Sequence, residues 1–359
     1  MNLAQVTYIW IDGSSPTQML RSKMKIVPNT KKQLTVEDLP QWSFDGSSTY
    51  QASGHDSDLI LQPICVVNDP ILGAGNYLAL CEVLNPDGKT PHISNKRRHL
   101  AELMSHVSKS HDPWIGFEQE YTLFDGQQPL GWPERGYPAP QGPFYCGVGS
   151  DEVFGRHLVD EHAQACLDAG LMIYGTNAEV MPGQWEFQIG YRGVDTESAD
   201  PLTASDHLWL ARWLLYRLGE EYGISATLHP KPVKGDWNGA GKHTNFSTKE
   251  TRDPKTGMEA INKAIKALEG RHAEHIKVYG ADLELRLTGK HETAHISKFA
   301  AGIGNRGASV RIPRPVAEKG YGYLEDRRPG ANANPYEVAA MLVETICGVT
   351  AKKKNEVTA

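Results

Sequence analysis

Over the first hundred residues, apolar positions alternate with polar ones or gather in short runs. "VTYIWID" (6–12), "SKMKIV" (22–27), "DLILQPICVV" (58–67) and "YLALCEVL" (77–84) are rich in β-branched and aromatic residues, with Gly, Pro and Asn between them. That pattern predicts strands joined by turns. "NPDGKTPH" (85–92) is a turn-rich break, and a polar helix is expected over 94–109. The period then lengthens. In "SDEVFGRHLVDEHAQACLDAG" (150–170), Val153, Phe154, His157, Leu158, Ala165 and Cys166 recur at helical spacing, with Ser150 and Asp151 as candidate caps and Gly170 as a stop. "SDHLWLARWLLYRLGEEYG" (205–223) repeats the pattern, and "NPYEVAAMLVETICG" (334–348) adds Asn334 as cap and Pro335 at the first helical position. The reading is an α+β chain, with a small strand-rich domain at 1–104 and a larger mixed domain at 105–359.

Composition narrows the class. The 359 residues suffice for two domains, and 40% hydrophobic with 22% charged residues fits a globular protein. A net charge of −6 without a Lys/Arg stripe argues against nucleic-acid binding. The basic run at 352–354 reads as a solvated tail. No stretch of about eighteen apolar residues predicts a membrane span. Five scattered cysteines without CxxC spacing predict reduced thiols and a cytoplasmic location.

The chemistry concentrates in acidic pairs on strand-like runs. In "WIGFEQEYTLFD" (114–125), Glu118 and Glu120 share one strand face, about 7 Å apart. In "NAEVMPGQWEFQIG" (177–190), a two-residue turn at Pro182-Gly183 would put Glu179 directly across from Glu186. Opposed like charges weaken a hairpin. A hard divalent cation would offset the repulsion, and oxygen ligands suit Mg²⁺ or Mn²⁺. Solvation or arginine pairing is the alternative for either pair. "DWNGAGKHTNFS" (236–247) offers Gly239 and Gly241 for close backbone approach and His243 as a candidate ligand, although a lone loop histidine is more often a surface or core residue. "LRLTGKHET", "NRGASVRIPR" and "GYLEDRRPG" supply Arg286, Arg306, Arg311, Arg314, Arg327 and Arg328, whose forks match carboxylate and phosphate oxygens. Acidic clusters and arginines together point to metal-dependent phosphoryl transfer on an anionic substrate.

The motifs "FDGSSTYQASG", "LCEVLNPDGKTPH", "GFEQEYTL", "PQGPFYCGVG", "NAEVMPGQWEFQIG", "KPVKGDWNGAGKHTN", "RLTGKHETA", "NRGASVRIP" and "EDRRPGANANPY" follow one another in this order. In them the chain resembles the type II glutamine synthetase family from about residue 6 to 348. The resemblance implies a small N-terminal β-grasp domain, a larger catalytic α/β domain, and a decamer of two pentameric rings with active sites shared between neighbouring subunits. It implies ATP-dependent ligation of L-glutamate and ammonium, with two or three Mg²⁺ or Mn²⁺ ions per site. Glu120, Glu179 and Glu186 would hold one ion, and Glu118, His243 and Glu325 the second. Arg286 and Arg327, with Asn238 and Gly239, would bind glutamate. Arg306 and Arg311 would face the phosphoryl group, and Trp114 and Tyr323 the nucleotide. Asp45 would reach a neighbour's site to bind ammonium, and Glu292 would sit on a closing flap. Three features depart from the family pattern: a long link at 190–206, Lys242 where a small residue or cysteine is expected, and Tyr50 where asparagine is common. Two other readings remain: a ligase for a larger amine, and a non-catalytic assembly protein, which would have lost metal ligands.

Overall fold

A computed structural model describes residues 2–29 and 31–350, so the basic run at 352–354 lies outside the described residues. The first strands are β1 (Leu3–Ile11), β2 (Leu20–Pro28), β3 (Trp42–Asp45), β4 (Asp58–Asn68) and β5 (Tyr77–Leu84). They form a five-stranded sheet in the order β2-β1-β5-β4-β3, with β1 and β5 parallel and the other neighbours antiparallel. Strand alternation gives this sheet two apolar faces. Val6, Tyr8, Trp10, Ala79, Cys81 and Val83 build the small core. Ile9, Leu78 and Leu80 point the other way, into the core of the larger body.

The chain then runs through α1 (Lys96–His111), β6 (Trp114–Asp125), β7 (Gln128–Pro129), α2 (Arg156–Asp168), β8 (Ile173–Ala178), β9 (Gln184–Ile189), α3 (Pro201–Tyr222), β10 (Ile224–Thr227) and β11 (Lys242–Ser247). It continues through α4 (Gly257–Gly270), α5 (His272–Val278), α6 (Leu283–Arg286), β12 (Ala301–Ile303), β13 (Val310–Ile312), α7 (Arg314–Lys319), β14 (Leu324–Asp326) and α8 (Pro335–Cys347). The main path of the nine-stranded sheet is β12-β13-β14-β11-β6-β9-β8, and β7 and β10 also pair with β6. One sheet face packs on α2 and α3, and α1 and α8 pack on α3 in the same core.

The expected division after residue 104 falls inside α1. Leu100, Leu103, Met104 and Val107 of that helix all join the larger core. Packing therefore assigns α1 to the larger body, and we propose the break in the 85–95 loop. Arg97 of α1 binds Glu82 of β5 at 2.9 Å and Asp206 of α3 at 2.8 Å, tying the small sheet to the larger body.

Two helix starts differ from expectation. Ser150 and Asp151 cap nothing, because α2 begins at Arg156 after Gly155 in the left-handed region (φ 83°). Helix α3 begins at Pro201, inside the supposed link. Asp200 accepts from the backbone N–H of Leu202 and Thr203 at 3.0 and 3.1 Å, a cap worth about 1 kcal/mol. The end of the link is thus a capped helix start, while Arg192 and Glu197 clamp the rest in an ion pair. Asn334 and Pro335 open α8 as the sequence predicts. Tyr50 sits at φ 59°, a conformation that asparagine adopts more easily than tyrosine.

Candidate active site

Strand register assembles the site. His243 of β11 pairs with Glu118 of β6, and Glu118 pairs onward with Gln188 of β9. Two residues along, Glu120 pairs with Glu186, which pairs with Asn177 of β8. On the other flank Asn245 pairs with Glu325 of β14, and Glu325 with Arg311 of β13. Alternation turns all of these side chains to the sheet face away from the helices.

All of them except Glu325 line a cavity of about 440 Å³ together with Tyr145, Tyr174, Glu179, Asn238, Gly239, Arg286, Glu292, Arg306, Tyr323 and Arg327. Glu325 is fully buried at its edge, bound by Arg311 and by Arg327 Nη1 at 2.7 Å. His243 Nδ1 lies 3.5 Å from Glu118 and 3.7 Å from Glu325, and its Nε2 lies 3.8 Å from Glu120. Arg286 Nη2 approaches that Nε2 to 3.0 Å. Gly241 is required beside them: a Cβ there would come within 2.3 Å of Arg286 Nη2, and its N–H donates to Glu120 Oε2 at 2.7 Å.

The expected hairpin pairing of Glu179 with Glu186 is not formed. Asn177 faces Glu186 instead, and residues 179–183 make a five-residue loop closed by Glu179 N–H on the Gln184 carbonyl at 2.9 Å, with the Pro182-Gly183 turn inside it closed by Gln184 N–H on the Met181 carbonyl at 3.0 Å. The opposed acids are Glu120 and Glu186, on different strands. Glu179 still lines the cavity, with one oxygen accepting from Asn177 Nδ2 at 2.9 Å.

Electrostatics favour a bound cation. Burial pushes the Glu179 carboxyl up to about 8, helped by the Glu120 charge. Burial, then the charges of Glu118, Glu120 and Glu179, pushes Glu186 well above the usual carboxylate range. Burial, followed by Arg327, lowers His243 to about 3, leaving a neutral imidazole able to ligate. Two groups, Glu118–His243–Glu325 and Glu120–Glu186–His243, bring their ligand atoms within 4.8 Å of one another. An oxygen-rich donor set with neutral imidazole fits a hard divalent cation.

A second cleft of about 350 Å³ adjoins the cavity and shares Tyr174, Asn245 and Tyr323 with it. Trp114 and Tyr191 stack in it at 4.9 Å, and the Arg252 guanidinium lies 4.2 Å from the Trp114 ring centre. Trp114 and Tyr323 thus share an aromatic slot beside the carboxylates. Asp45 is absent from both linings: it is exposed on the small sheet, where Ser47 and Ser48 bind its carboxyl and hold it down at about 2. Glu292 is exposed at the cavity rim, and both it and His291 adopt left-handed backbone (φ 59° and 52°), a strained conformation for side chains of this size. Sequence reasoning missed Asn245, Tyr174, Tyr191 and Arg252. Asn245 was within reach, two residues beyond His243 on the same strand face; the other three carry no local signal.

The fold and site define an enzyme class, metal-assisted ligation or transfer at a carboxylate-and-arginine centre with an aromatic slot beside it. Residues 2–86 match the glutamine synthetase beta-Grasp domain and residues 94–264 the glutamine synthetase catalytic domain. Glutamine synthetase of Streptomyces viridochromogenes is 54% identical over 347 residues, covering 96% of this chain and 97% of that protein. Those of Agaricus bisporus and Saccharomyces cerevisiae are each 53% identical over 95% of this chain, covering 92% and 88% of their own lengths. The chain belongs to the glutamine synthetase family, whose catalytic domain uses ATP and divalent metal.

Proposed function

We propose that the chain joins ammonia to the side-chain carboxylate of L-glutamate, cleaving ATP to ADP and phosphate by way of γ-glutamyl phosphate. The observation that carries this reading is the row of buried acids flanked by Arg286, Arg306, Arg311 and Arg327 in one cavity beside the Trp114 slot. Glu118, His243 and Glu325 would hold one Mg²⁺ or Mn²⁺ ion, and Glu120, Glu186 and Glu179 another. Bound there, such ions would supply Lewis-acid stabilisation of negative charge on phosphate.

The chain's own residues do the rest. Arg286 and Arg327 orient glutamate, with Asn238 and Gly239 beside it. A carboxylate oxygen of glutamate attacks the γ-phosphorus and ADP leaves, while Arg306 and Arg311 stabilise the transferring group. Glu292 on its strained loop covers the acyl phosphate and keeps water from it. Ammonium is not a nucleophile, so a carboxylate must take its proton. Asp45 fills that role from a neighbouring subunit, which its exposed place on the small sheet supports. Ammonia then attacks the acyl carbon and phosphate departs. Such sharing implies a ring assembly, which we read as the decamer of two pentamers. Five unpaired cysteines support a cytosolic setting, and among the described residues no helix is long and apolar enough to cross a membrane.

The test is phosphate release from ATP with Mg²⁺ or Mn²⁺. It should require glutamate and ammonium together. Release that proceeds with methylamine, ethanolamine or a polyamine but not with ammonium would replace this reading by a ligase for larger amines. No release with any amine would leave the non-catalytic reading.

A further inference from the structure

Between the two glutamates of β6 lies Gln119, which points away from the cavity and is fully buried. Its Oε1 accepts from Arg212 of α3 twice, from Nε at 3.0 Å and from Nη2 at 2.5 Å. Its Nε2 donates to the carbonyls of Glu120 at 2.8 Å and Ala331 at 3.1 Å. Arg212 is itself 1% exposed and also donates to the carbonyls of Ala331 at 2.9 Å and Ala333 at 3.2 Å. The Ala333 carbonyl accepts from a second buried basic side chain, Lys242 Nζ, at 2.8 Å.

Neither side chain forms an ion pair with a carboxylate among the described residues. A buried guanidinium without a counter-ion is costly, and an apolar side chain would fill the space over Trp209 without that penalty. Buried polar groups of this kind are best attested where they fix register. Register is what the site depends on. A slip of β6 by one residue would turn Gln119 into the cavity and both glutamates into the apolar core. The Gln119 amide fits only where Arg212 and two carbonyls meet it. The same fork holds the 331–333 segment, which follows β14 with Glu325 and Arg327.

We propose that Arg212 is a positioning residue for the metal centre: through Gln119 and the 331–333 carbonyls it fixes β6 against the β14 exit, so that Glu118, Glu120 and Glu325 converge. Lys242, adjoining His243, reinforces the same carbonyl lock. The assignment rests on those glutamates being metal ligands. Partners of this kind behind metal ligands typically change affinity about tenfold or more.

The experiment measures Mn²⁺ binding to the folded, full-length assembly by electron paramagnetic resonance of free Mn²⁺, for the parent protein and for Arg212→Met, Arg212→Lys, Gln119→Met and the Arg212→Met/Gln119→Met pair. Mn²⁺ affinity should fall about tenfold in Arg212→Met and in Gln119→Met, and by no more in the double variant, because the two act as one unit. Arg212→Lys keeps the charge without the fork and should lie between parent and Arg212→Met, with kcat reduced more than KM for glutamate is raised. Should Arg212→Met fail to fold, Gln119→Met and Arg212→Lys carry the same comparison. A purely structural role predicts a lower Tm with parental Mn²⁺ affinity in the folded variants, and that result overturns the proposal. Losses that add in the double variant overturn it too. A parent protein that binds no Mn²⁺ overturns the metal reading itself, and this proposal with it.

Discussion

Glu120 of β6 stands directly across from Glu186 of β9, and both side chains are buried on the same face of the large sheet. Two carboxylates cannot both be ionised there cheaply without a cation between them. On the proposed reading, the pair opposes folding in the absence of metal and serves function in its presence. Glu186→Gln should separate these effects. The metal-free protein should gain about 0.5–1 kcal/mol from loss of the opposed charge, seen as a higher Tm in chelator. Synthetase activity should fall at least a hundredfold. A Tm in chelator that drops would mean the two acids are already satisfied by the protein.

The residue types of this centre were legible in the sequence, but their partners were not. Strands β1, β4 and β5 follow from alternation and β-branched runs, and Asn334–Pro335 announces α8, because those signals are local. The Glu120–Glu186 pair depends on β9 docking beside β6, which no local pattern encodes. The Pro182-Gly183 turn misled for a physical reason. Gly183 is left-handed (φ 75°) and packs so closely on the Leu130 carbonyl that a Cβ would lie 2.6 Å from it, so the loop is shaped by a third segment rather than by the hairpin alone. The packing of α1 was hidden in the same way: helical spacing shows which face is buried, not which core receives it.

The aromatic slot should govern nucleotide affinity alone. Trp114 contributes its face to both Tyr191 and Arg252, contacts worth roughly 1 kcal/mol each. Trp114→Ala should raise KM for ATP about tenfold and leave KM for glutamate within twofold. Equal rises in both constants would show that the side chain supports the whole site rather than the nucleotide.

Acid should destabilise the protein through two buried histidines, one on α2 and one on α3. Burial lowers both His162 and His207 to about 4. His162 Nε2 lies 2.8 Å from the Ala211 carbonyl, and His207 Nδ1 accepts from Met172 N–H at 3.1 Å. Above pH 6.5 both are neutral in the folded and unfolded chain, and their contribution is intact. As pH falls from 6.5 towards 4, the unfolded chain takes up protons that the folded one refuses. Each should therefore cost roughly 2 kcal/mol of stability by pH 5. In His162→Gln the gap between denaturation midpoints at pH 7 and pH 5 should narrow. An unchanged gap would place the acid sensitivity elsewhere.

Whether two subunits share the site can be read directly from mixed assemblies. Asp45 is exposed on the small sheet and absent from the cavity that holds Glu186. If it serves a neighbour, a ring containing both Asp45→Ala and Glu186→Gln subunits holds some sites with neither lesion, because each lesion lies on a different chain of a shared site. Asp45→Ala alone should raise KM for ammonium at least tenfold while KM for ATP changes little. Glu186→Gln alone should be nearly inactive. Dissociated and reassembled together in equal amounts, the two should recover about a quarter of parental activity at low ammonium, the fraction of sites in which both contributing chains are intact by random mixing. Recovery no greater than the average of the separate variants would put Asp45 and Glu186 on the same chain's site, or Asp45 outside the reaction.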